Sequence, residues 1–228
     1  MVRFYSSMAL LMLCLTGCVD QSRDVASPET DNVDSGVNKT PAGDGDSAQA
    51  FDRAALMTNL IDSIFIPNYQ STAALADSFS ADSGPLAAYC SAIGSADEAT
   101  SLAAAQASWL ALMDAVQKTE MHIIGPALRN DEALHNRIHS YSTGSLATCA
   151  LDQAVVDASS ADFDVSSRAF NQRGMGAVEY LLFNSNLNHS CSSQVQATAT
   201  WNDLTESEQK NKRCILAEKL AVDVAVAS

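Results

Sequence analysis

An apolar stripe at helical spacing, running from Ser95 to the Gly125-Pro126 break, restricts the fold more than any other feature. Leu102, Ala105, Trp109, Leu112, Met113 and Val116 recur three or four residues apart and so share one face of a helix. Ser95-Ala96-Asp97-Glu98 precedes them as a capping-box pattern, with Ser95 as N-cap and Glu98 reaching back. The same period returns elsewhere. Leu56, Leu60, Ile61, Ile64 and Phe65 form a stripe expected to stop at Ile66-Pro67, and a second helix is expected from Asn68 to Phe79. Ser83-Gly84-Pro85 should break that helix and open a short one to Ile93. The period is poorer from Gly125 to Asp164, where a turn or two of helix over Arg129 to Ile138 should precede a Ser/Thr/Gly loop around Cys149. Phe163 to Phe183 reads as one helix, with Phe170, Gly174, Val178 and Leu181 aligned. Thr205-Glu206-Ser207-Glu208 is a second capping box, opening a helix through Leu216, Leu220 and Val224 to the C-terminus. No segment alternates as a strand would, so the expected fold is an all-α helical bundle.

Composition removes several functions. The 228 residues carry 27 acids against 13 bases, a net charge of −14. Phosphate binding needs clustered Lys and Arg, so nucleic acid is excluded as a partner. No apolar run reaches the roughly 18 to 20 residues of a membrane span. The N-terminus has a different use for its apolar residues. Arg3 followed by the short stretch from Met8 to Leu15 reads as a signal peptide over residues 1–17. It ends in Leu15-Thr16-Gly17-Cys18, which resembles the bacterial lipobox. Small residues there suit the lipoprotein signal peptidase, and the Cys18 thiol would take the diacylglycerol. Acyl chains at about 0.8 kcal/mol per buried CH₂ would then hold the protein at a membrane. Val19 follows, with no Asp as an inner-membrane retention signal, so the expected location is the periplasmic side of the outer membrane.

Residues 18–50 read as the lipidated cysteine and a disordered acidic linker. After Cys18 the stretch has seven acids, two bases and no Leu, Ile, Met or aromatic residue. It cannot bury enough apolar area to offset the entropy of ordering it. Asp44-Gly45-Asp46 lacks the closing Glu of a calcium loop. In an exported protein Cys90, Cys149, Cys191 and Cys214 should form two disulfides. The expected pairs are Cys90–Cys149 and Cys191–Cys214, the second closing a loop into the last helix.

Several segments of the helical body, residues 51–228, resemble the imelysin-like family, also known as insulin-cleaving membrane proteases. They are Ile66-Pro67-Asn68-Tyr69, Ala107-Ser108-Trp109, Ile124-Gly125-Pro126, Arg137 to Tyr141, Asp152-Gln153 and, above all, Arg173 to Phe183. The resemblance implies a helical bundle, a cell-envelope location and a link to iron, since the family includes iron-regulated envelope proteins and a periplasmic component of ferrous-iron uptake. Its signature is GxHxxE on a helix. Gly174 and Glu179 match, but Gly176 stands at the His position. His and Glu three apart share a helical face and would jointly hold a metal or a water. Without the imidazole, Glu179 is left as a lone oxygen ligand or as a structural carboxylate. Gly174 and Gly176 each cost a mid-helix about 1 kcal/mol against Ala, which points to close helix packing. Family members resemble two bundles, so residues 51–228 are expected to hold the first bundle and the start of a second. The last helix lacks a C-cap glycine or trailing Pro, which suggests a shortened chain.

Another candidate metal cluster comes from spacing alone. Asp131, His135 and His139 lie four apart and would share a face suited to zinc or iron. The Glu of a zincin H-E-x-x-H is absent, and Arg137 places a positive charge between the imidazoles. Glu120 and His122, two apart, face different ways. His189 reads as a solvent-exposed loop residue, Arg173 as a salt-bridge residue, and Trp109 and Trp201 as core. No G-x-S-x-G elbow or phosphate-cradling Gly loop is present. Two functions compete. One is a non-catalytic binding or accessory module of the envelope, with iron or another divalent metal as cargo and an envelope protein as partner. The other is a metallopeptidase of the insulin-cleaving type. A hydrolytic metal needs about three protein ligands and a water, so Gly176 favours the first. A nonfunctional truncation is the third reading.

Overall fold

The computed structural model describes residues 51–140 and 144–228. The segments read above as a signal peptide and an acidic linker, with Cys18 and Tyr141, lie outside the described residues. Helix α1 (Arg53–Leu60) is capped by Asp52, whose Oδ1 accepts from the Ala55 amide at 2.9 Å. It does not stop at Ile66-Pro67 as expected. The chain runs through a π-helical turn, Ile61–Phe65, into α2 (Ile66–Ser80). Proline lacks an N–H and crowds the preceding turn, and the widened π turn accommodates it. After the Gly84-Pro85 break come α3 (Pro85–Ala92) and α4 (Glu98–Thr119). The N-cap of α4 is Asp97 rather than Ser95, and the Glu98 carboxylate accepts from the Gly94 amide at 2.7 Å.

Ala105, Trp109, Leu112, Met113 and Val116 of α4 are buried as the stripe requires, with Leu102 packed against them. Two 3₁₀ turns, Glu120–His122 and Gly125–Leu128, lead to α5 (Arg129–His139). Cys149 is not in a loop but in α6 (Thr148–Asp157). The helix expected over Phe163 to Phe183 is mostly absent. Two 3₁₀ turns occupy Val165–Ser167 and Phe170–Gln172, and only α7 (Gly174–Phe183) is α-helical. Arg173 is extended and Gly174 has φ +78°, which separates the segments. Helix α8 (Glu206–Ala227) opens on the complete Thr205–Glu208 capping box.

No strand occurs among the described residues, and none of their helices is long and apolar enough to cross a membrane. The bundle core joins Phe79 of α2, Leu86 of α3, Leu112 of α4, Leu151 of α6, Val178 of α7 and Leu220 of α8. Both disulfides form, but with other partners than expected: Cys90–Cys214 and Cys149–Cys191. Bundle neighbours decide this. Helix α3 packs on α8 and brings Cys90 to Cys214, with Cα atoms 5.7 Å apart. The loop after α7 returns over α6 and brings Cys191 to Cys149, with Cα atoms 4.6 Å apart. Both separations lie in the range a disulfide spans.

Candidate functional site

Helix α7 carries the degenerate signature, and it is packed on nearly every side. Gly174 through Val178, with Leu181 and Leu182, are buried. The Trp109 indole N–H donates to the Met175 carbonyl at 3.1 Å, and Gln106 Nε2 donates to the Leu182 carbonyl at 3.0 Å. Gly174 opens the helix rather than sitting mid-helix, and two constraints fix it as glycine. Its φ is left-handed, and a Cβ there would lie 2.6 Å from the Arg137 and Ile138 carbonyl oxygens and from Ser140 Oγ. The close packing expected of the two glycines is therefore an approach of α7 to the end of α5.

Ser140 is the hinge of that approach. It is fully buried with φ +67°, donates its hydroxyl to the Arg173 carbonyl, and accepts from the Gly176 amide at 3.0 Å. The backbone at the signature position is thereby tied to the end of α5, and no side chain projects from it. Glu179, half-buried, borders a shallow cleft of about 450 Å³ that it shares with His139, Trp109, Met113, Asp114 and Gln117.

On α5 the structure departs from the expected cluster. Asn130, Asp131 and Glu132 have positive φ, so the regular helix begins after them and Asp131 is exposed. Asp131 does not join the histidines. Glu120 does, from the 3₁₀ turn after α4. Its Oε1 lies 3.3 Å from His135 Nδ1 and 3.4 Å from His139 Nε2, and the two imidazoles are nearly parallel with centroids 5.4 Å apart. Among the described residues, these three are the one group of His, Cys, Asp and Glu placed to share a metal ion. Sequence reasoning missed Glu120 here because it lies 15 residues before His135, and no helical spacing relates positions on different elements. His135 also borders an apolar cavity of about 350 Å³, walled by Tyr69, Val116, Ile123, Pro126, Leu134 and Ile138.

The Imelysin family model matches residues 66–225, most of the described body. The chain belongs to the imelysin family. No curated protein and no solved structure matches it.

Other polar residues of this imelysin serve its frame. His122 faces away from Glu120, buried and stacked on Phe65 at 4.5 Å, and its carbonyl accepts from the Tyr69 hydroxyl at 2.8 Å. Arg173 forms no ion pair among the described residues. It donates to the Val165 and Ser166 carbonyls and lies over Phe170. His189 is half-buried rather than exposed. Trp109 and Trp201 are core residues, the latter donating to the Leu187 carbonyl at 2.6 Å. Asp152 accepts from the Tyr180 hydroxyl and from both the amide and hydroxyl of Ser190. Burial, and next the Asp152 charge, push the Tyr180 phenol above its ordinary value, which keeps it a neutral donor.

Proposed function

We propose that this imelysin is a lipid-anchored protein of the bacterial cell envelope that binds a cargo or partner without catalytic turnover, with a role tied to iron or another metal. The anchoring part rests on Leu15-Thr16-Gly17-Cys18 and the signal peptide before it. Paired cysteines at four buried or half-buried positions suit an oxidising compartment. The observation that carries the non-catalytic part is Gly176 itself, which puts no side chain, in a buried stretch of α7, where the family signature has an imidazole. A peptidase metal bound by the signature pair would have Glu179 alone from this helix, short of the three protein ligands typical of hydrolytic zinc.

Incubation of the metal-supplemented protein with reduced, unfolded insulin tests this reading, with intact substrate as the expected result. Chelator-sensitive cleavage that disappears in Glu179→Gln would instead establish the metallopeptidase reading. For the anchor, Cys18→Ser is expected to move the protein from the membrane fraction to the soluble one. Retention in membranes would remove the lipid from the proposal.

A further inference from the structure

Glu120 faces the two histidines in ion-pair contacts that are long for a hydrogen bond and whose lengths also suit a shared metal ion. Charge-assisted N–H···O bonds run about 2.7–2.9 Å, whereas the two N···O separations are 3.3 and 3.4 Å. Ligands about 2.0–2.1 Å from a tetrahedral metal ion lie about 3.4 Å from one another. All three ligand atoms fall within 4.8 Å of one another, so a small side-chain rotation closes the remaining edge. Glu120 Oε1 is screened from solvent and has no hydrogen-bond donor among the described residues. A carboxylate oxygen buried without a donor is costly unless a cation faces it, and here that cation is either a protonated imidazole of the pair or a metal ion between them.

Both sides of the cluster are held in place. The turn that carries Glu120 continues into His122, clamped between Phe65 and Tyr69. Helix α5 is fixed at its end by Ser140 against Gly174 and Gly176. The positive charge expected to spoil the site is directed elsewhere. Arg137 donates through Nε and Nη2 to Asp223 Oδ1 on α8, at 3.0 and 2.6 Å, and its charge is compensated there. Supports on each flank of this kind hold metal ligands in register before the ion arrives.

We infer that Glu120, His135 and His139 form a binding site for one divalent transition-metal ion, of the zinc or ferrous-iron class. Two imidazoles and one carboxylate favour such ions over calcium and magnesium, which take oxygen ligands. Three protein ligands leave positions on the ion for water or for a group of a receiving partner, an arrangement open to a carried ion and to a hydrolytic one alike, which the cleavage measurement below separates. The inference deepens the binding-module reading above and rests on it for the role of the metal.

The test titrates the full-length protein, extracted in detergent, with Zn²⁺ by calorimetry and with Co²⁺ by visible absorption, using Mg²⁺ and Ca²⁺ as controls. Glu120→Gln, His135→Gln, His139→Gln and Glu179→Gln are measured beside it, with circular dichroism to show that each remains folded. Loss of a supporting partner alone costs a metal site about 10- to 100-fold in affinity. Each change in the trio should therefore weaken Zn²⁺ by about 100-fold or more, and Co²⁺ should show the strong bands of four-coordination. Absence of binding to folded protein, or binding unaffected by all three trio variants, would overturn the site while leaving the non-catalytic reading intact. Binding lost in the trio together with metal-dependent insulin cleavage would keep the site and remove the non-catalytic reading instead.

Discussion

Helix α7 and the last turns of α5 meet at Ser140, yet their side chains are used in opposite ways. On α7, five consecutive residues from Gly174 to Val178 are buried, and polar atoms there are bonded to the frame. On α5, the His135 and His139 side chains remain 15% and 21% exposed, and their facing carboxylate oxygen lacks a hydrogen-bond donor. The family signature lies on the helix whose first five residues are all packed, with Glu179 half-buried beyond them. The Glu120, His135 and His139 group lies next door. Packing and ligand binding compete for the same side chains, and the metal site inferred above would separate them.

That contrast predicts a graded series of stability losses. Gly174→Ala should be the worst, about 4 kcal/mol or more, because a Cβ meets two backbone carbonyls that cannot turn aside. Urea denaturation reads it, and a loss under 1 kcal/mol would mean that α7 can move away from α5. Replacing Cys90 and Cys214 together by Ala reopens a loop spanning 124 residues in sequence and should cost about 4 kcal/mol. Arg137→Ala leaves the 7% exposed Asp223 carboxylate without its partner and should cost about 3 kcal/mol. Double replacement with Asp223→Asn should recover much of that.

Smaller effects mark the rim. Lys210, and then the Gly94 amide, hold the Glu98 carboxyl below its ordinary range. A folded pKa below the unfolded value gives stability that is present above the unfolded carboxylate pKa, about 4.3, and is lost as pH falls through the folded one. Glu98→Gln should therefore flatten the acid limb of the stability curve, by about 1 kcal/mol at most for a half-buried pair at the surface. At the bottom of the series, Glu120→Gln, which removes a charge left without a hydrogen-bond donor, should not destabilise the metal-free protein, with any loss under about 0.5 kcal/mol. A loss of 2 kcal/mol would place the cluster with the frame and erase the contrast.

Long regular helices were the legible part of the fold. The α4 stripe and the Thr205–Glu208 box specify their elements because period and cap are local signals. Residues 125–172 resisted because 3₁₀ turns have no sustained apolar period, and left-handed backbone at Asn130 to Glu132 breaks the register that would place Asp131 beside His135. The i, i+4 relation of His135 and His139 survives since both lie on the regular part of α5. Glu120 enters through a contact between elements, as do both disulfide partners, and spacing along the chain carries no such information. Gly174 reads as a packing glycine in sequence. Its left-handed φ, and the carbonyls it faces, emerge only when α5 is in place.

The two disulfides are nested, Cys149–Cys191 lying inside the span of Cys90–Cys214. Synthesis delivers Cys149 long before Cys214. An oxidant acting on a growing or emerging chain would therefore meet Cys90 and Cys149 as its first available thiols, and joining them blocks both native bridges. Correct maturation demands either that oxidation wait until α8 has arrived or that a thiol exchange catalyst undo the early error. The arrival of Cys214 thus decides when the first cysteine of the bundle can find its partner.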